Sequence, residues 1–571
     1  MLLDDLAEYI QKVQEISKTE LCAVLVGIRQ ARHFSTFRLP DDGSAERIAT
    51  ADDGRIFAGS SLFKVYIAAG ASLMIEKLSA GSDPSNRFRG VRNAWSRTFT
   101  DVFNAYSQDI KIKPLYGNPT VLELIFHYKG PCSINHWLFS PDGSPLLSKN
   151  AFLNTISQYT QDTSNQHNNT TWVEYSNANY ILIALLIEVV SGKSLPDFLR
   201  EYIFDPLGMN QTYMSADELS AVPIGKRVQP HVVSSKGLRR AIHVNEILYL
   251  SDTVEKAAMG GYTSAADIGK FFEMVLEALH GTPSSAMFDK EFVKSLFKGI
   301  GALDDEEHGY TRFGLYTTLD KNLPGSHSLN RFISSNNDAS TYKLGKDSQN
   351  KDVTAFYMAG CATGWLSTVY LIPQRQIFVI TLTNTTGPVD MSDIVSKLCL
   401  QEILDLRPSK IGDPNFTCRP KGWQAMTLPQ IHRAHYVELA AKIYQENARV
   451  YSKLEEEDKA PDTATAAYPN ILGIYKNKKN GQSLEVIDLG GTLGVKLKGE
   501  TKVSKPMRFV RKGQVFRICS RVRGTTDLAI DCFGDWENLT FGFEEKNGAV
   551  VCFFRNGRNL VDRFTRIEAA D

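Results

Sequence analysis

The chain has 571 residues, of which 43% are apolar, 22% charged and 10% aromatic, the balance of a globular protein too long for one ordinary core. Lys+Arg and Asp+Glu both number 64, so the formal net charge is zero and nucleic-acid binding gains no support. A membrane-spanning helix needs roughly 20 apolar residues; the best run, Ile181 to Val190, has ten residues, carries Glu188 and reads as a buried helix.

The opening MLLDDLAEYIQKVQEI has acids where an export signal has bases, and Leu3, Leu6, Ile10, Val13 and Ile16 recur at helical spacing. An amphipathic helix and a cytoplasmic protein are the expectation. Eight cysteines (Cys22, Cys132, Cys361, Cys399, Cys418, Cys519, Cys532, Cys552) lack any CxxC pair and read as free thiols. Sequons at Asn169 and Asn384 matter only on secretion.

Leu21 to Ile28 is an apolar, β-branched run that predicts a buried strand. Helical patterns follow over Ser61 to Glu76, Ala178 to Ser191 and Ala265 to Leu279. Two more strand-like runs, Leu366 to Ile372 and Ile377 to Leu382, are joined by Pro373-Gln-Arg-Gln as a hairpin. Strands at both ends of a helical middle imply one sheet built from both chain ends with a helical region inserted. We divide the chain into a catalytic domain over 1–410, a helical and acidic linker over 411–467 and an all-β domain over 468–571. In the linker, His435 to Lys453 is helical and runs into Glu455-Glu-Glu-Asp and a solvated Ala-Pro-Asp-Thr stretch. In the last domain, short strands alternate with Asn480-Gly, Gly490-Gly, Lys512-Gly, Arg523-Gly, Asn547-Gly and Asn556-Gly, predicting a small barrel or sandwich. Its 18 Lys/Arg against 12 acids read as a solvated surface.

Ser61-Leu62-Phe63-Lys64 fits Ser-x-x-Lys. Residues three apart share a helix face, so the amine can reach the hydroxyl, and burial can lower the amine's pKa enough to activate it. Ser295-Lys298, Ser340-Lys343 and Ser348-Lys351 share the spacing. Only Ser61 follows a turn-like Phe57-Ala58-Gly59-Ser60 and opens a long apolar helix, where backbone N–H groups favour an oxyanion. Tyr175-Ser176-Asn177 leads into the most apolar helix of the chain. Its phenol suits a proton relay and its amide can orient a carbonyl, although Asn177 as a helix N-cap is the plainer reading. Tyr-x-Asn also occurs at Tyr468 and Tyr475.

Five segments in order, GSSLFK, EYSNANYILIALLIEVVSG, IFDPLGM, MGGYTSAADIGKF and AGCATGWLSTVYLIPQRQIFVITLTN, resemble the class C β-lactamase/esterase group over about residues 20 to 400. The resemblance implies an α/β (α+β) β-lactamase/transpeptidase-like fold, an antiparallel sheet flanked by helices plus an all-helical subdomain. It also implies Ser61 as acyl-enzyme nucleophile, Lys64 as its activating partner, Tyr175 as base and then acid, and Asn177 as a substrate contact. Where the family has Lys-Thr-Gly or His-x-Gly, this chain has Met358-Ala359-Gly360, so the carboxylate-binding cation is missing. The oxyanion hole falls to the N–H groups of Ser61 and Cys361, the residue after Gly360. Tyr468-Pro-Asn-Ile-Leu-Gly-Ile-Tyr475 is similar to the lipocalin-like barrel that follows many such domains.

A Gly-x-Ser-x-Gly elbow, a P-loop and a dinucleotide fingerprint are absent, and His432 with His435 lacks a zinc-protease frame. The expectation is an acyl-Ser61 hydrolase or acyltransferase for an ester, thioester or amide. Its partners would be a small-molecule acyl substrate, free or carrier-bound, and an acyl acceptor, with no metal, no cofactor and no membrane. The missing cation and absent signal point toward secondary-metabolite tailoring or release over cell-wall work. Alternatives are a catalytically inactive binding relative and a true β-lactamase or D,D-peptidase.

Overall fold

The computed structural model describes residues 2–29, 31–41, 43–52, 54–80, 85–115, 117–128, 135–138, 146–159, 175–242, 254, 256–281, 286–298, 309–318, 330, 355–404, 427–458, 468–478, 482–498, 503, 506–512, 515–519, 539–546, 549–556 and 559–569. The catalytic half is organised by an eight-stranded antiparallel sheet. After helix α1 (Leu2–Ser17) come β1 (Leu21–Ile28), β2 (Ala31–Arg38) and β3 (Glu46–Ala49). Helices α2 (Lys64–Ser72), α3 (Asn177–Ser191) and α4 (Ala265–His280) mark the inserted region. The sheet resumes with β4 (Gly309–Tyr310), β5 (Tyr316–Thr318), β6 (Ala355–Ala362), β7 (Trp365–Ile372) and β8 (Ile377–Thr383). Strand order is β3-β2-β1-β8-β7-β6-β5-β4, with the two chain ends meeting where Cys22 pairs with Thr383.

Both sheet faces are covered, which is why β1 reads as an unbroken apolar run rather than an alternation. Leu21, Ala23 and Leu25 point into the core shared with α4, whereas Cys22, Val24 and Val26 face the opposite layer. That layer is made by α1, α5 (Met391–Leu404) and α6 (Leu428–Asp458). The helix expected over His435 to Lys453 therefore runs longer, and Glu455 to Asp458 lie inside it. Ile431, Tyr436, Leu439, Ala440 and Ile443 bury its apolar side against the other two helices, so it is part of the sheet's cover. The Ala-Pro-Asp-Thr stretch, Asn169, and the pairs at Ser340 and Ser348 lie outside the described residues. Asn384 is fully buried, with its side chain bonded to Glu20, Gln229 and Leu21, which closes it to glycosylation in the folded state.

The inserted region is helical, as its periodicity predicts. Its central element is α3, with 13 of 15 residues buried, ending on Gly192 in the left-handed conformation that glycine accommodates best. The third segment is a closed antiparallel barrel of eight strands in sequence order: β9 (Gly473–Lys476), β10 (Ser483–Asp488), β11 (Leu493–Lys498), β12 (Met507–Lys512), β13 (Val515–Cys519), β14 (Leu539–Lys546), β15 (Ala549–Asn556) and β16 (Asn559–Ala569). Closure leaves no free strand edge. Cys22, Cys361, Cys399 and Cys552 are free thiols. Among the described residues no helix is long and apolar enough to cross a membrane.

Behind the sheet, Lys397 on α5 bonds Asp393 at 2.7 Å with both side chains 3% exposed, and Tyr370 of β7 donates to the same carboxylate at 3.1 Å. Removing one partner of such a pair leaves a buried charge uncompensated. Lys397→Ala is expected to cost about 3–5 kcal/mol, read as a lowered urea midpoint.

Candidate active site

The site forms where the helical region meets β6. Phe57–Ala58 pairs with Tyr262–Thr263, and Gly59 N–H donates to Gly261 O at 3.0 Å. Ser60 then takes φ +51°, a left-handed value uncommon for a side-chain-bearing residue, and turns the chain sharply. Ser61 sits in the single 3-10 turn Ser60–Phe63, and the α-helix proper starts only at Lys64. The helix expected from Ser61 thus begins one turn later, because the tie to Gly261 and the strained Ser60 occupy its entry.

Lys64 is fully buried, and its Nζ lies 3.0 Å from Ser61 Oγ while donating to Ala258 O. Desolvation drives its pKa well below the usual lysine value. From the other side Tyr175 Oη donates to Ser61 Oγ at 2.7 Å. Burial raises that phenol's pKa above its ordinary range, with the Ser61 hydrogen bond opposing in part. The Lys64 amine also lies over the Tyr175 ring, 5.1 Å from its centroid. Ser61 and Lys64, from one short motif, and Tyr175, from a remote one, are thus in direct contact.

Asn177 is close by in sequence but does not cap α3; the cap position is Ser176. Its Nδ2 donates to Asn135 Oδ1 at 3.0 Å, and its buried Oδ1 has no hydrogen-bond partner among the described residues. Gly360 lies on β6 opposite Ser367 of β7. A Cβ at Gly360 would sit 2.5 Å from Gly59 O and 2.3 Å from Ser367 Oγ, so only glycine lets the strand approach the nucleophile's turn this closely. Met358, two residues back and therefore on the same strand face, is 1% exposed and places a thioether where the family pattern has a cation. Cys361 is half-buried beside Gly360. The other described Ser-x-x-Lys serine, Ser295, donates to Glu76 at 3.0 Å instead of meeting a lysine.

Several contributors carry little sequence signal. His127, with φ +54°, lies 4.8 Å from the Tyr175 ring centroid and 5.1 Å from that of Tyr180. Its Nδ1 accepts from Ser176 N–H at 3.0 Å, holding the strand of chain that delivers Tyr175. Ser367 Oγ donates to Gly59 O at 3.1 Å, fixing the turn from the sheet side. The Gly260-Gly261 doublet was a signal for the third: Gly261, at φ +115°, leaves room for the Phe63 ring, whose atoms approach its Cβ direction to 2.3 Å.

The family model described as Beta-lactamase matches residues 136–397, a span that includes Tyr175, Asn177, Gly360 and Cys361 and begins after Ser61 and Lys64. Over that span the chain matches the β-lactamase family, and its fold is β-lactamase/transpeptidase-like. The structure of the octameric penicillin-binding protein homologue from Pyrococcus abyssi superposes with TM-score 0.51 at 15% identity, covering 99% of this chain and 100% of that one. The shared fold therefore extends through the barrel. Penicillin-binding protein 4* of Bacillus subtilis (strain 168) is 31% identical over 105 residues, 18% of this chain and 23% of that protein. Unguisins hydrolase ungD' of Aspergillus campestris (strain IBT 28561) is 43% identical over 51 residues, 9% of this chain and 10% of that protein. The chain aligns with less than a quarter of either curated relative's length.

Two outcomes test the architecture of this site. Gly360→Ala forces the Gly59 carbonyl or the strand to move, and labelling of the serine by a fluorophosphonate is expected to slow by about 100-fold or more. Lys64→Met removes a desolvated amine, so the melting temperature is expected to stay level or rise while labelling is lost.

Proposed function

We propose that the protein is a serine hydrolase or acyltransferase that forms an acyl-Ser61 intermediate on an ester, thioester or amide of a small molecule. The observation that carries this is the convergence of a buried amine and a buried phenol on one hydroxyl, Lys64 Nζ at 3.0 Å and Tyr175 Oη at 2.7 Å from Ser61 Oγ. Because desolvation favours the neutral amine, Lys64 is the group able to take the Ser61 proton as Oγ bonds to the carbonyl carbon. Tyr175, the first base by the family resemblance, is held neutral by burial and serves in this reading as donor only: it protonates the departing alkoxide, thiolate or amine and recovers its proton from Lys64. The backbone N–H groups of Ser61 and Cys361 receive the oxyanion, and Asn177 Oδ1 accepts from a substrate N–H. Water attacking the acyl carbon in the second step regenerates Ser61 and releases an acid; an alcohol or amine in its place makes the enzyme a transferase.

The substrate side follows from what faces the turn. Met358 offers no charge to a carboxylate, so penicillins, cephalosporins and D-Ala-D-Ala peptides lack the ion pair that would anchor them. That one short stretch resembles a protein named as an unguisins hydrolase supports water as acceptor and a secondary-metabolite substrate.

Incubation with a fluorophosphonate and a short-chain nitrophenyl ester, followed by peptide mass spectrometry, is expected to place the adduct on Ser61, with turnover lost in Ser61→Ala. An adduct elsewhere, or turnover surviving in Ser61→Ala, would sink the proposal. Tyr175→Phe is expected to reduce turnover about 10²–10⁴-fold. Since the reactive form of Lys64 is the unprotonated amine, kcat/KM should rise with pH through a pKa below the ordinary lysine value and fall off below it. Lys64→Arg, which cannot lose its proton at these pH values, should abolish turnover at every pH. A chromogenic cephalosporin is expected to be hydrolysed at background rate; clear Ser61-dependent hydrolysis would contradict the ester preference.

A further inference from the structure

A cleft of about 360 Å³ opens where the start of β1, the end of β2 and the strand around His231 come together, and none of the site residues described above lines it. Four guanidiniums, from Arg38, Arg55, Arg227 and Arg239, face two carboxylates, from Glu20 and Asp41. This excess of positive charge is concentrated in a chain whose net charge is zero.

The carboxylates cancel only part of it, pairing with Arg38 and Arg239. Glu20 is engaged by Asn384 Nδ2 at 2.7 Å and by Arg38 at 3.3 Å. Arg227 is anchored by neutral groups: its Nε donates to Val222 O at 2.8 Å and its Nη2 to Ser220 O. Carbonyls fix where that guanidinium points without neutralising it, and it meets no carboxylate among the described residues. Arg239 is nearly buried, with its side chain 9% exposed. Its Nη2 bonds the Asp41 carboxylate, whereas its Nε is buried without a hydrogen-bond partner. A buried donor left unmade is costly, and the Nε and Nη2 edge of a guanidinium is the fork that grips an oxyanion through two parallel bonds. Asp41 fills half of that fork from solvent, since its own side chain is 92% exposed.

We propose that this cleft binds a small oxyanion, the phosphate of a phosphate ester or a carboxylate, on the Nε–Nη2 edge of Arg239, with Asp41 as a displaceable stand-in and Arg227 as second cation. The site is independent of the acyl chemistry at Ser61. Binding exchanges a single contact to an exposed side chain for a two-point one and satisfies the open Nε.

The test is isothermal titration of the full chain with inorganic phosphate and, separately, with succinate, at ionic strength held constant with chloride. Saturable binding of one or both is expected. Phosphate alone assigns a phosphate ester, and succinate alone assigns a carboxylate. Arg239→Gln should weaken binding at least about tenfold, and Asp41→Asn, which removes the competing carboxylate, should tighten it about fivefold or more. Because Asp41 is exposed, that variant stays informative even where Arg239→Gln fails to fold. No saturable binding of either anion, or titrations that neither substitution changes, would overturn the proposal.

Discussion

The chemistry of the site depends on an amine kept out of water with no carboxylate bonded to it among the described residues. Lys64 is fully buried on the first turn of α2, and its neighbours are a hydroxyl, a carbonyl and two aromatic rings. An acid in this position would hold the charge and leave the amine inert as a base. The apolar helices α2 and α3 supply the dry surroundings, and their own continuous apolar character follows from being central to the helical half.

Around that amine the protein spends strain and glycine. Ser60 adopts a left-handed backbone, Gly261 yields space to Phe63, and Gly360 lets β6 come within contact of the Gly59 carbonyl. The turn is clamped on two sides, by Gly261 O on the Gly59 N–H and by Ser367 Oγ on the Gly59 O. Local strain of this kind persists only where surrounding structure over-determines it. The rigid sheet, covered on both faces, provides that determination.

Much of this was legible beforehand. Ser61, Lys64, Tyr175 and Gly360 lie in short motifs whose residue types have a chemical reason to occur together; the first three are in contact, and Gly360 packs on the turn that carries Ser61. The unbroken apolar run of β1 and the hairpin at Pro373 imply the sheet's two-ended construction. What sequence could not expose were groups that act through the backbone or across long spans. Ala258 contributes a carbonyl, which any residue has; His127 accepts from a main-chain N–H; Asn135 reaches Asn177 from 42 residues away. Ser367 was within reach, since the Thr363-Gly364 turn sets the register that places it opposite Gly360. The extent of α6 was missed because acidic residues that suit a solvated linker also suit an exposed helix end, and only packing against α1 and α5 distinguishes the two.

The pairing of Cys22 with Thr383 also sets a timetable. On the ribosome β1 emerges first, yet its neighbour β8 follows more than three hundred residues later, so the sheet has a vacant central position for most of translation. Until then both apolar faces of β1 and one of its hydrogen-bonding edges lack their final cover, and α6 arrives later still. Contacts this distant in sequence fold slowly and leave sticky intermediates. Truncated products ending before residue 383 cannot complete the sheet and leave an edge of β1 open to other chains.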